Sequence, residues 1–213
     1  MVKRSVVQRG VVGRAVVGAV GGVMLVGVGT AAMAAHPDAE DTSAVEIGVE
    51  IESVGALTMT VDGTQSTLVE DGSTEEFRQF TGELPNVTVT DDRSDAPEGV
   101  YWYVVGQASD FVGDAGQAPI GPEHLGWTPA MVTESSSGAV GEGQEVGTVL
   151  DAVGEGPGLA GEELFLLTLD SQEAQAENGS WTANADLVLR TETDVAPGSY
   201  SSVLTLSLFE DGQ

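Results

Sequence analysis

The aromatic side chains of this chain are the residues best suited to binding chemistry. Trp102 lies in the run Tyr101-Trp102-Tyr103-Val104-Val105, and Trp127 lies in Gly126-Trp127-Thr128-Pro129. An aromatic ring of this kind either stacks on a sugar ring or fills a core, and for tryptophan the core is the commoner position. Trp102, Tyr103 and Trp127 are therefore the candidate ligand-binding residues, each with a place in the core as its alternative.

The two aromatic segments predict different local structures. The first is dense in aromatic and β-branched residues, which favour a strand. Successive side chains of a strand face opposite sides, so Tyr101 and Tyr103 face away from Trp102, and one of the two faces is a candidate aromatic platform. The glycine and proline around Trp127 predict a loop, in which the ring contacts a ligand or covers the end of the fold.

A cluster of carboxylates suggests a calcium site. Asp91, Asp92 and Asp95 lie within five residues, close to Glu98. Calcium takes six to eight oxygen ligands, and carboxylates supply them. The spacing differs from that of an EF-hand loop, and Arg93 lies among the acids. The alternative is a solvated turn in which Arg93 pairs with these carboxylates.

The other reactive residues form no recognisable catalytic motif. The sequence has no cysteine, and its two histidines, His36 and His124, are far apart. It also lacks the G-x-S-x-G pattern that marks a serine nucleophile. We therefore predict a protein that is not an enzyme and has no cofactor other than calcium. A secreted carbohydrate-active enzyme with two catalytic carboxylates is the minor alternative.

Charge divides the chain at about residue 34. All 34 acidic residues follow this point, whereas four of the seven basic residues precede it, so the later part has a formal charge of 3 − 34 = −31. An uncharged run over residues 15–29 and the small residues of Ala32-Met33-Ala34 predict a signal peptide over residues 1–34. An uncleaved membrane anchor is the alternative. Residues 35–44 are predicted to form a flexible acidic leader.

The acidic composition narrows the choice of partners. Nucleic acid and anionic membranes would repel a chain of this charge, so we predict no nucleic-acid partner and no membrane in the mature form. Together with the signal peptide, this predicts a secreted protein or one located at the cell surface.

Hydrophobic periodicity predicts the fold. Alternating apolar and polar residues with glycine, proline and Asn/Asp turns between them are typical of an antiparallel sandwich. We predict an all-β fold, a single antiparallel, Greek-key-like β-sandwich over residues 45–213, after the N-terminal signal helix. Residues 74–80 form either one helical turn, or a strand or irregular edge, and Asn178-Gly179 predicts a hairpin turn. The main predicted strands are residues 45–52, 57–61, 87–90, 101–105, 164–169, 181–190 and 204–208.

Two segments resemble WxL-type cell-surface domains. In the first, the strand Leu84-Pro85-Asn86-Val87-Thr88-Val89-Thr90 ends in the Asp-x-Arg turn Asp91-Asp92-Arg93 and is followed by Trp102-Tyr103-Val104. In the second, Gly198-Ser199-Tyr200 leads into Leu204-Thr205-Leu206-Ser207-Leu208. Val104 stands where the family usually has leucine, and Leu206 stands where it usually has tryptophan.

The resemblance implies a function at the surface of Gram-positive bacteria. Members of that family are exported, attach non-covalently to peptidoglycan and work with partner surface proteins. We therefore expect a secreted, non-catalytic protein that binds cell-wall glycan or a partner surface protein. The alternative is a structural subunit of a surface fibre or complex, assembled by strand addition at an exposed sheet edge.

Overall fold

The computed structural model describes residues 55–94, 96, 98–151 and 156–212. The predicted signal peptide (1–34), acidic leader (35–44) and first strand (45–52) lie outside these residues, and so does Asp95. Within the described residues, no helix is long and apolar enough to cross a membrane.

Strands are the main regular elements of the described chain. In chain order the elements are β1 (Leu57–Val61), β2 (Val69–Glu70), β3 (Arg78–Asp91), β4 (Val100–Ala108), β5 (Val112–Gly113), a 3₁₀ turn (Pro122–His124), β6 (Leu125–Met131), β7 (Val140–Glu142), a second 3₁₀ turn (Gly158–Ala160), β8 (Glu163–Thr168), α1 (Ser171–Glu177), β9 (Ser180–Thr191), β10 (Tyr200–Ser201) and β11 (Leu204–Gly212).

These strands form two antiparallel sheets that pack against each other. Sheet A has the order β1-β3-β9-β6, with β2 also paired to β3, and sheet B has the order β11-β4-β8-β7. β5 and β10 form a separate small pair. Buried side chains from both sheets form one hydrophobic cluster. The prediction of an all-β, antiparallel sandwich is confirmed.

Side chains alternate between the two faces of each strand, and this alternation determines which residues lie in the core. On β9, Ala183, Ala185, Leu187 and Leu189 are all buried, while the residues between them face outward. This is the face that the sequence predicts for these four residues. A strand with one apolar face can pack only in this register, because a shift of one residue would turn the whole set towards water.

Three tryptophans fill much of the space between the sheets. Trp102 on β4, Trp127 on β6 and Trp181 on β9 are each 1% exposed. The Trp127 ring lies against Phe165, with 5.4 Å between the ring centroids. Among the described residues, none of the three indole N–H groups has a hydrogen-bond partner. Packing therefore holds these rings in place, and it has to offset the cost of burying unpaired donors.

The turn at Asn178-Gly179 follows a helix rather than a strand. α1 begins after Asp170, whose side chain accepts a hydrogen bond of 2.9 Å from the Glu173 N–H, as an N-cap residue does. Gly179 has a φ of +70°, a conformation that glycine adopts without strain at a helix end. The hairpin prediction is wrong, because this turn links α1 to β9.

The segment over residues 74–80 is irregular as far as Phe77 and enters β3 at Arg78. Phe80 lies in β3, where it pairs with Leu189 on one side and with Glu70 on the other. The helical-turn prediction for this segment is therefore wrong, and the alternative of a strand or irregular edge is confirmed.

Gly106 on β4 lies against the Trp127 indole. A methyl group placed on Gly106 would lie 2.7 Å from Trp127 Cζ3 and 3.1 Å from Leu206 Cδ2. We expect Gly106→Ala to lower the free energy of unfolding by about 1–3 kcal/mol, the usual cost of overpacking a core. Urea unfolding followed by tryptophan fluorescence measures this loss.

Gly141 on β7 provides a matched control. A methyl group placed there would meet no other atom within 4 Å. We therefore expect Gly141→Ala to leave the free energy of unfolding nearly unchanged. An equal loss for both variants would contradict the close contact between Gly106 and Trp127.

Candidate binding surface

Two of the three candidate binding residues lie in the core. Trp102 and Trp127 are buried, so neither ring offers a face to a sugar or to another protein. The predicted loop around Trp127 is wrong, since this segment forms part of β6. The Trp127 backbone also exchanges hydrogen bonds of 3.0 and 2.9 Å with Val146. β6 is an edge strand, and Pro129 is tolerated there because an edge strand leaves some N–H groups unpaired.

The third candidate, Tyr103, lies at the surface in the centre of a row of aromatic rings. Tyr101 and Tyr103 share the outer face of β4, and Phe209 on β11 lies directly opposite Tyr103. The ring centroids are 6.2 Å apart between Tyr101 and Tyr103, and 5.4 Å apart between Tyr103 and Phe209. Phe209 is 40% exposed. These three residues, Tyr101, Tyr103 and Phe209, are called the aromatic patch below.

Phe209 was not among the residues predicted from the sequence. The alternation of Leu204, Leu206 and Leu208 indicates only that Phe209 faces the other way. Its place beside Tyr103 depends on the pairing of β11 with β4, two strands that are far apart in the chain. No local pattern specifies that pairing, so the complete patch was not visible in the sequence.

One end of the aromatic patch is polar. The Tyr101 hydroxyl donates a hydrogen bond of 3.4 Å to Asp211 Oδ2. The neighbouring Asp211 carboxylate raises the pKa of the Tyr101 phenol, because it disfavours the negatively charged phenolate. On the other side of Tyr103, Leu167 of β8 continues the row with an apolar side chain.

Arg93 joins the strand that carries Phe209 to the other sheet. Its Nε and Nη2 donate to the two Asp91 carboxylate oxygens at 2.7 and 2.6 Å, and its Nη1 pairs with Glu210. Asp91 ends β3 in sheet A, whereas Glu210 lies on β11 in sheet B. The bonds to Asp91, and secondly to Glu210, raise the pKa of the Arg93 guanidinium. We call this group the Arg93 clamp; it holds one end of β11.

Two of the three carboxylates of the proposed calcium cluster, those of Asp91 and Asp92, have protein partners. Asp91 belongs to the Arg93 clamp, and Asp92 Oδ1 accepts the Ala56 N–H at 2.6 Å. In the part of the chain that the structure describes, no group of three acidic or histidine side chains is arranged to hold a metal ion. Asp95 lies outside that part, so the calcium site stays a prediction.

The surface around the aromatic patch is acidic and has little compensating charge. Only three arginines follow residue 34, and all three pair with carboxylates: Arg78 with Glu70, Arg93 with Asp91 and Glu210, and Arg190 with Asp151. Next to Leu167, an open groove of about 700 Å³ is lined by Glu142, Glu145 and Glu163, among others. The surface therefore presents apolar rings bordered by negative charge.

Comparison of the chain with protein-family models and with curated proteins gives no match. We therefore infer the function of this chain from the geometry and the charge of the aromatic patch.

Removing Arg93 tests the clamp. Asp91 is only 4% exposed, and Arg93→Gln would leave its carboxylate buried without a charged partner. We expect a loss of about 3 kcal/mol in the free energy of unfolding, as is common when one partner of a buried pair is removed. Arg78→Gln removes a pair at the surface, where water screens it, and should cost far less. Equal losses in urea unfolding would show that Arg93 is only a surface charge.

The link between Tyr101 and Asp211 can be tested by titration. Asp211→Asn removes the carboxylate charge, so we expect the pKa of Tyr101 to fall towards that of a free phenol. Ultraviolet absorbance or ¹³C NMR of the phenol ring measures this shift, with Asp186→Asn on the outer face of β9 as the control. A Tyr101 pKa that is the same in all three proteins would contradict the contact.

Proposed function

We propose that this chain is a secreted, non-catalytic protein that binds non-covalently to the bacterial cell wall, and that the aromatic patch is its contact surface for wall glycan. The observation that carries this proposal is the row of Tyr101, Tyr103 and Phe209 on the outer face of sheet B. Three neighbouring aromatic side chains on paired strands form a contact surface that needs little rearrangement on binding.

Aromatic side chains suit this role for two reasons. Each ring offers a large apolar area but has only two side-chain torsions to immobilise, so the entropic cost of ordering it is small. The tyrosines also carry a hydroxyl group that can bond to polar atoms of a ligand. A sugar ring has apolar C–H faces and hydroxyl edges, and this combination matches the surface around Tyr101 and Tyr103.

Charge supports a neutral glycan over an anionic polymer. The chain after residue 34 carries a formal charge of −31, and its three arginines are already paired. An anionic wall polymer would be repelled, whereas an uncharged sugar face would not be. We therefore propose that the contact depends on ring packing and has a weak dependence on salt.

The resemblance to WxL-type domains supports the same setting. This resemblance implies that the protein is exported and attaches non-covalently to peptidoglycan. The second Trp-x-Leu motif of that family corresponds here to Leu206-Ser207-Leu208, which has no tryptophan. In this proposal, binding depends instead on the outer face of β4 and β11, where Phe209 lies.

Co-sedimentation of the full chain with purified peptidoglycan tests the proposal. We expect Tyr103→Ala and Phe209→Ala each to weaken binding by at least about fivefold, as is usual when an interface aromatic residue of importance is truncated. Val69→Ala is the matched control, because Val69 is an exposed apolar residue on the other sheet. Urea unfolding of each variant separates a loss of binding from a loss of fold.

Two results would overturn this proposal. The first is that the chain sediments with peptidoglycan no more than an unrelated acidic protein does. The second is that the patch variants and Val69→Ala bind equally well, which would place the contact elsewhere on the molecule.

A further inference from the structure

The outer edge of β11 is a long strand edge. β11 has nine residues, and within the described chain its only strand partner is β4. The register between these strands runs from Leu204 to Gly212 without a shift. An edge of this kind has unpaired N–H and C=O groups along its free side and is a template for another strand.

The hydrogen bonds show which residues of β11 point towards this free edge. The Ser109 N–H donates to the Val203 carbonyl at 3.0 Å, and these two residues lie opposite each other next to the paired strands. Bonded and non-bonded pairs alternate along an antiparallel ladder. The odd-numbered residues of β11 therefore bond to β4. Leu204, Leu206, Leu208 and Glu210 direct their N–H and C=O groups towards the open side.

β11 lacks the features that usually protect an edge. Over residues 204–209 it has no proline and no charged side chain. In contrast, β6 contains Pro129 and is partly covered by Val146, and β7 has only three residues. β1 is also uncharged, but it has five residues, so it offers a shorter template.

The side chains of β11 leave apolar surface beside this edge. Leu204, Leu206 and Leu208 pack against the core, yet all three remain partly exposed. Leu206 lies next to Gly106 of β4. Because glycine has no side chain, β4 does not cover the Leu206 side chain at this position. A strand added next to β11 would bury more of these leucines and would pair their free backbone groups.

We propose that the free edge of β11 binds an extended segment of a partner polypeptide by strand addition, and that this segment is neutral or basic. Asp211 places a negative charge at one end of the strand, where Glu210 is already paired with Arg93, and the chain after residue 34 carries −31. A second copy of this chain would meet strong like-charge repulsion, whereas a neutral or basic segment would not. This surface is separate from the glycan contact and involves backbone groups rather than rings.

Hydrogen exchange of the full chain tests the proposal. The probe is a nine-residue peptide that alternates valine with threonine and carries a lysine at each end, because such residues favour strands. Without the peptide, we expect the amides of Leu206 and Leu208 to exchange rapidly. With the peptide in excess, their exchange should slow, while amides of the exposed strand β2 should keep their rates.

Substitutions at Leu206 identify the backbone as the binding element. Leu206→Pro removes an N–H that points to the free edge, so it should weaken peptide binding by roughly tenfold, the loss of about one hydrogen bond. Leu206→Val keeps that N–H and should bind within about twofold of the parent chain. Leu204→Pro, at the first residue of the strand, is a second blocking variant that is well tolerated by the fold. Leu206→Pro should still bind peptidoglycan, which separates this test from that of the aromatic patch.

Four outcomes would overturn the proposal. Leu206 and Leu208 amides that are protected before peptide is added would show that the chain itself covers the edge. Self-association in light scattering that is lost in Leu206→Pro would assign the edge to a second copy. Unchanged exchange in excess peptide, or equal binding by Leu206→Pro and Leu206→Val, would show that β11 accepts no strand.

Discussion

Burial of the Trp102 indole determines what sheet B shows to its surroundings. β4 alternates side chains between its two faces, so the register that places Trp102 in the core also places Tyr101 and Tyr103 outside. A shift of one residue would expose the indole and bury two phenols, at a high cost in free energy. Phe209 joins the tyrosines because β11 pairs with β4 in a single unbroken register. The aromatic patch is therefore a consequence of core packing.

The charge of the domain limits the partners that this surface can accept. After residue 34 the chain has three arginines, and each is engaged by carboxylates of the same chain. The surface therefore offers a partner apolar rings, an open strand edge and many carboxylates that have no arginine partner. Neutral sugars and neutral or basic peptide segments are compatible with that combination. The Arg93 clamp, which joins Asp91 to Glu210, is an ion pair network that supports the fold, because it connects β11 to the opposite sheet.

Much of the fold follows from local patterns in the sequence, and the errors have identifiable physical causes. Alternation correctly predicted β4, β9 and β11 and the buried face of β9. The segment around Trp127 was predicted to be a loop because of Gly126 and Pro129, yet an edge strand tolerates both. α1 was missed because its seven residues carry no apolar stripe, and only Ser171 and Ala174 are buried. The sequence does not identify Phe209 as a binding residue, because its position beside Tyr103 depends on the pairing of β11 with β4. These two strands are far apart in the chain, and no local sequence pattern predicts their pairing.

Hydroxyl-radical footprinting of the full chain, with and without purified peptidoglycan, measures whether the aromatic patch is the contact surface for wall glycan. We expect Tyr101, Tyr103 and Phe209 to be oxidised in the free protein and to become protected when peptidoglycan is present. The indoles of Trp102, Trp127 and Trp181 should remain unmodified in both conditions. Oxidation of Trp102 in the folded protein, or protection confined to residues outside the aromatic patch, would contradict this expectation.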